Sequence, residues 1–281
     1  MSLPLSPRAL SAVVSRLRAA GCVFAEDEAD ALVTAARTSA DLAAMVDRRV
    51  AGLPLEHVLG WAEFCGLRIS VDPRVFVPRP RTEFLASQAG ALAGPGTVVV
   101  DLCCGSGAVG AVLAATLDRI ELHAVDIDPA AVGSARRNIG SRGQVHQGDL
   151  YEPLPLRLRG RVNVLVANAP YVPSEEIGLL PPEARIHEPR VALDGGADGL
   201  DVQRRVAEAA PRWLAPGGHL LVETSERQAR RTAGIFARCG LVPRITSSEE
   251  LDATVVIGTR PRLGIPGGVN TAEPSVVLVS G

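Results

Sequence analysis

The stretch Val98-Val-Val-Asp101-Leu-Cys-Cys-Gly105-Ser-Gly107-Ala-Val-Gly110 sets an apolar run, a glycine turn and a small-residue helical segment end to end. Glycine has no Cβ, so such a turn lets the backbone approach a bound nucleotide closely. Asp126 and Ile127 close the next apolar run, where a carboxylate can accept hydrogen bonds from both hydroxyls of a ribose. The spacing Gly105-x-Gly107-x-x-Gly110 by itself fits a dinucleotide fold equally well. Asp101 separates the two cases: an acid at the end of the first strand repels a pyrophosphate and suits the cationic amino-acid end of S-adenosylmethionine. Asp149-Leu150, after a third apolar run, offers an adenine one polar and one apolar contact; as a helix N-cap, Asp149 would serve the chain itself instead.

Working outward, the strand candidates Thr97 to Leu102, Glu121 to Ile127, Gln144 to Gln147, Val162 to Ala167 and His219 to Glu223 alternate with helical stretches. That alternation predicts an α/β, Rossmann-like core with a mostly parallel seven-stranded sheet covered on both faces, closed at one edge by a hairpin of Leu241 to Thr246 and Ala253 to Gly258. Upstream, Leu10, Val13, Val14 and Leu17 form one helical stripe and Ala29, Leu32, Val33 and Ala36 another, with starts at Ser6-Pro7 and Ser39. Between Trp61 and Pro80 the period becomes two, which predicts a short hairpin, followed at Val75 to Glu83 by an extended, exposed strip near the cofactor. The expected organisation is a small helical domain over 1–60, a β-hairpin linker over 61–83, the catalytic core over 84–260, and a Gly- and Pro-rich tail over 261–281 with no assigned role.

Composition narrows the chemistry. Hydrophobic residues make up 47% of the 281, enough to close a core of that size. The formal charge of -2 creates no field that would recruit nucleic acid or an anionic membrane. Every basic residue is Arg, which removes Lys-dependent chemistry. Five scattered cysteines lack the spacing of a disulfide framework or a zinc site, so no metal is expected, and Cys103 and Cys104 read as small packing residues in a reducing cytoplasm. Met1 to Arg8 lacks the pattern of an export signal, and the most apolar stretch is broken by Asp101 and glycines, so neither export nor membrane insertion is expected.

After the fourth strand candidate stands Asn168-Ala169-Pro170-Tyr171, at the carboxyl end of the sheet where open α/β folds place ligands. An amide nitrogen is a poor nucleophile because its lone pair is delocalised. A site that methylates one must bind both N–H groups and aim the nitrogen at the methyl donor. The Asn168 side-chain oxygen and the Ala169 carbonyl can each accept one N–H, and Tyr171 can cover the planar group beside the sulfonium.

The tetrapeptide resembles the Asn/Asp-Pro-Pro-Tyr signature of methyltransferases acting on planar nitrogens, and the whole chain from Ser6 to Arg260 resembles the HemK/PrmC family, the release-factor glutamine methyltransferases. The resemblance is carried also by Pro54-Leu-Glu-His-Val-Leu-Gly60, Phe64-x-Gly66, Val77-Pro-Arg-Pro-Arg-Thr-Glu83 and, most specifically, Glu188-Pro-Arg-Val-Ala-Leu-Asp-Gly-Gly-Ala-Asp-Gly-Leu200. It implies a helical domain that grips a protein substrate and a glutamine, that of the Gly-Gly-Gln motif of a peptide chain release factor, entering the pocket. With the reading above, the cofactor site comprises Asp101, Cys103, Cys104, Gly105, Ser106, Gly107, Asp126, Ile127, Asp149, Leu150 and Asn168, and the catalytic tetrapeptide runs from Asn168 through Ala169 and Pro170 to Tyr171. Cys103 departs from the family's first glycine, Ala169 from its first proline, and Arg81 from its usual Glu. A nucleic-acid amino-group methyltransferase and a non-catalytic cofactor-binding module are the alternatives, and Arg79, Arg81 and Arg190 are candidate contacts to an acidic or RNA-bearing partner.

Overall fold

Ser6 accepts the Ala9 N–H through its hydroxyl at 3.3 Å, and Pro7 takes the first helical position, so the chain enters helix α1 (Pro7–Ala19) where its sequence predicts. These and the following statements describe residues 5–262 of a computed structural model; the tail expected at 261–281 lies almost wholly outside the described residues. Helices α2 (Ala25–Ala35) and α3 (Ser39–Val50) complete the N-terminal bundle. Thr38 rather than Ser39 caps α3, its hydroxyl accepting the Asp41 N–H at 3.1 Å. Leu17, Ala29, Leu32, Leu42 and Val46 are buried together, and Leu10, Val13, Val14 and Val33 pack against them, so both stripes face a common core.

A one-turn helix α4 (Leu55–Leu59) leads into the hairpin of β1 (Trp61–Phe64) and β2 (Leu67–Ser70), paired antiparallel around Cys65-Gly66. This hairpin is fastened to the core rather than loosely tethered. Phe64 and Ile69 are buried in it, and Asn138 exchanges bonds with the Ser70 backbone at 2.9 and 2.8 Å. The segment after it corrects the expected exposed strip: Val75, Val77, Pro78 and Thr82 are buried. Period-two apolar positions give the reason, since Val75 and Val77 pack with Ala62, Val71 and Ala131. Of the two arginines in this stretch, Arg81 is exposed and Arg79 is half-buried against Glu188.

Helix α5 (Thr82–Leu92) spans the boundary between residues 83 and 84. Beyond it run β3 (Val98–Leu102), α6 (Ala108–Thr116), β4 (Glu121–Asp126), α7 (Pro129–Ile139), β5 (Gln144–Gln147), β6 (Val162–Ala167), the short α8 (Pro182–His187), α9 (Asp201–Trp213), β7 (Leu214–Thr224), α10 (Glu226–Arg238), β8 (Val242–Ser248) and β9 (Ala253–Thr259). The seven strands lie in the order β5-β4-β3-β6-β7-β9-β8, parallel except at β9. β7 begins five residues before the run His219 to Glu223. Its extra residues pair only through a register shift against β6, which an alternation pattern does not reveal.

All five residues of β3 are buried, as a central parallel strand requires. One face of the sheet packs on Leu85, Ala89, Val112, Leu113 and Ile139 from α5, α6 and α7; the other packs on Val206, Ala210, Trp213, Ala233 and Phe236 from α9 and α10. The strand order reverses between β3 and β6, and a crevice opens there above the carboxyl ends. Among the described residues no helix is long and apolar enough to cross a membrane.

Candidate active site

A cavity of about 530 Å³ occupies that crevice. Its floor is made by the ends of β3, β4 and β6. Asp101 is 2% exposed and accepts the Gly110 N–H at 3.0 Å; burial pushes its carboxyl up to about 7. Asp126 accepts Gly105 N–H at 2.8 Å and Asp128 N–H at 2.9 Å, and burial raises it as well. These bonds hold the turn after β3 against the end of β4.

The turn has the backbone its glycines predict. Gly105 and Gly107 have φ of +54° and +76°, and Cys103 adopts +55°, the left-handed region that favours glycine. That is the physical content of the departure at Cys103. Burial, then Asp126 and Asp101, push its thiol well up, and Cys104 responds in the same way, so both thiols are held neutral. Cys103, Cys104, Gly105, Ser106, Asp126, Ile127, Asp149 and Leu150 all border the cavity. Gly107 does not: its absent side chain makes room for α7, since a Cβ there would lie 2.9 Å from that of Ala135. Asp149 is no helix cap; no α-helix follows it, and its carboxylate takes Arg205 at 2.6 Å.

Asn168, Ala169, Pro170 and Tyr171 line the opposite wall. Asn168 Nδ2 donates to Thr82 Oγ1 at 3.2 Å, which leaves Oδ1 for another partner. Tyr171 donates its hydroxyl to Glu223 Oε1 at 3.3 Å, and burial with that carboxylate pushes the phenol up to about 12. The Glu188–Leu200 segment braces the tetrapeptide from outside. Val172 is held on both sides, its N–H donating to Leu193 O at 3.1 Å and its carbonyl accepting the Gly195 N–H at 2.9 Å. A Cβ on Gly195 would lie 2.7 Å from Pro170 O, and one on Gly199 2.3 Å from Tyr171 O, so these two glycines of the signature are spaces for the tetrapeptide backbone.

Four contributors were not singled out in the sequence. Thr82 and Glu223 stand behind Asn168 and Tyr171, Gln228 donates to Tyr171 O at 3.0 Å, and Arg205 pairs with Asp149. Only Glu223 carried a signal, an acid ending an apolar strand as Asp101 does. Two candidate partner contacts are used internally: Arg79 pairs with Glu188 at 2.6 Å and Arg190 with Asp194 at 2.9 Å. Arg81 remains exposed at the cavity edge.

An acid-floored crevice at the switch point of this sheet, walled by Asn168-Ala169-Pro170-Tyr171, belongs to an S-adenosylmethionine-dependent methyltransferase fold. Residues 80–196 match the methyltransferase small domain family. A solved methyltransferase from Pyrococcus furiosus superposes with a TM-score of 0.54 at 17% identity, over 78% of this chain and 98% of that one. The chain is 39% identical to the release factor glutamine methyltransferase of Geobacter sulfurreducens over 77% of its length and 76% of the relative's. With that of Streptomyces coelicolor the identity is 42%, over 68% and 70%. The chain belongs to the release factor glutamine methyltransferase family.

Proposed function

We propose that this protein methylates the side-chain amide nitrogen of a glutamine in a peptide chain release factor, with S-adenosylmethionine as donor. The observation that carries the reading is the hydrogen bond of Asn168: its amide nitrogen is tied to Thr82 while its side chain borders the cavity, which leaves Oδ1 free to accept from a substrate. Beside it, Ala169 presents its backbone carbonyl on a loop braced by Gly195 and Gly199. Two acceptors match the two N–H groups of a primary amide and suit no carboxylate or hydroxyl substrate as well.

The floor fits the donor. A buried carboxylate at Asp101 complements a cationic amino-acid end, Asp126 has lone pairs left for ribose hydroxyls, and Ile127 and Leu150 supply apolar surface for a base. When bound, the sulfonium supplies an electrophilic methyl group. The chain's own residues bind, orient and shield: Asn168 and Ala169 hold the amide, Tyr171 covers it, and no side chain is asked to remove a proton before transfer. Orientation stands in place of a base.

A protein substrate is supported by the rim. Leu179, Ile186 and Val191 are 82, 64 and 50% exposed on the segment that carries Leu180 and Ala184 into the cavity wall. The reading assigns residues 1–60 to substrate recognition and places the protein in the cytoplasm with the translation apparatus.

The test is mass spectrometry of a purified bacterial release factor after incubation with S-adenosylmethionine and the protein or Asn168→Ala. A 14 Da gain on a glutamine is expected, with a rate about 10² to 10³ lower in the variant. Cofactor binding with no gain on any glutamine would overturn the reading.

A further inference from the structure

Glu223 ends the apolar run Leu220-Leu-Val222 of β7, is 2% exposed, and does not border the cavity. A carboxylate so placed disfavours folding unless its oxygens are used. One oxygen accepts the Tyr171 hydroxyl at 3.3 Å. Burial raises this carboxyl above the usual carboxylate range, and the Thr82 hydroxyl, Arg81 and the Tyr171 hydroxyl act against that by favouring its charged form; Oε2 has no hydrogen bond of full geometry. Thr82 Oγ1 in turn accepts from Asn168 Nδ2 at 3.2 Å. Both ends of the tetrapeptide thus converge on one buried acid.

The direction of this chain of bonds follows from donor and acceptor capacity. An ionised carboxylate accepts and cannot donate. With its hydrogen turned towards an ionised Glu223, the Thr82 hydroxyl has only lone pairs for Asn168, in agreement with the donation from Asn168 Nδ2 at 3.2 Å. Oδ1 is left free to accept from a group in the cavity that Asn168 borders. If the acid were replaced by a group that can donate, Thr82 could point its hydrogen at Asn168 instead. The flipped amide would then present N–H groups to an incoming N–H donor.

We propose that Glu223 and Thr82 are positioning residues that set the polarity of this hydrogen-bond chain, so that Asn168 offers oxygen to the substrate amide and Tyr171 is held beside it. This rests on the glutamine-amide reading above. Glu223 lies outside the cavity and Thr82 borders it beside Asn168; each acts through the tetrapeptide.

The test compares Glu223→Gln and Thr82→Val, both close to isosteric, with Thr82→Ser as the conservative control. Methyl transfer to a purified release factor, S-adenosylmethionine affinity by calorimetry, and the ring-carbon NMR signals of ¹³C-labelled tyrosine are measured. The chain has two tyrosines, so Tyr171→Phe assigns the spectrum at once. In Glu223→Gln and Thr82→Val, kcat is expected to fall about 10- to 100-fold while KM and cofactor affinity stay within about twofold. Thr82→Ser restores the rate, and the Tyr171 signal shifts in Glu223→Gln. A kcat within about twofold of the parent in both variants, or a loss that tracks with cofactor affinity and is not restored by Ser, overturns the proposal. If the unaltered protein binds cofactor and methylates no release factor, the substrate reading falls by itself; an unmoved Tyr171 signal then overturns the Glu223 assignment as well.

Discussion

The backbone N–H of Gly105 donates to Oδ2 of Asp126 at 2.8 Å, tying the turn after β3 to the end of β4. Gly105 and Gly107 share the left-handed backbone but not the surroundings. A Cβ on Gly105 meets no protein atom within 4 Å, whereas one on Gly107 would press on Ala135 at 2.9 Å. Gly107→Ala is expected to cost roughly 2–4 kcal/mol, from backbone strain plus overpacking. Gly105→Ala should cost about 1 kcal/mol and weaken cofactor binding instead, because its methyl enters the open cavity. Urea denaturation and calorimetry on both variants separate the effects; equal losses of stability would show that the two glycines do the same job.

Asp101 predicts a pH dependence of cofactor affinity. Its carboxyl is pushed up to about 7, so the free folded protein holds a proton between about pH 4 and 7 that the unfolded chain releases. The sign follows: this group's contribution to stability declines as pH rises through that window. A cationic amino group beside Asp101 favours the ionised form, so binding expels the proton and tightens as pH rises. The S-adenosylmethionine Kd should improve roughly tenfold from pH 5.5 to 7, and Asp101→Asn should bind weakly with a flat profile. An unchanged parent Kd across this range would remove Asp101 from the cofactor's charged end.

Arg49 joins the N-terminal helices to the cavity rim. It takes Glu28 at 2.6 Å, both groups being largely buried, and Glu183 of α8 at 2.6 Å, which is 44% exposed. Removing the guanidinium leaves Glu28 buried without its partner, so Arg49→Met is expected to cost about 3–5 kcal/mol. Glu183→Gln breaks only a solvated contact and should cost under about 1 kcal/mol. If denaturation midpoints show the two to be equal, the Arg49–Glu28 pair is not the anchor.

The elements that were legible in the sequence are those whose cause is local. An apolar run, a glycine turn and a small-residue helix are near neighbours along the chain, and all seven strands fall within a few residues of their expected positions. The burial of Val75 to Glu83 is not legible in a composition dominated by proline and arginine, because the alternate valines that bury it do so against Ala62 and Ala131. The Glu188–Leu200 signature was legible as a pattern only. Gly195 and Gly199 acquire a meaning when Pro170 O and Tyr171 O are seen to occupy the space beside them.

By itself the sequence determined the class of fold, the acids at the strand ends and the tetrapeptide, because periodicity, backbone freedom and strand-end position are properties of short stretches. Only the tertiary structure decided which group of Asn168 is tied to Thr82, what holds Tyr171, and how the helical bundle meets the rim. Those outcomes depend on Thr82, 86 residues from Asn168, on Glu223, 52 from Tyr171, and on Glu183, 134 from Arg49. Hydrogen bonds act over about 3 Å in space and carry no trace of the sequence distance they span.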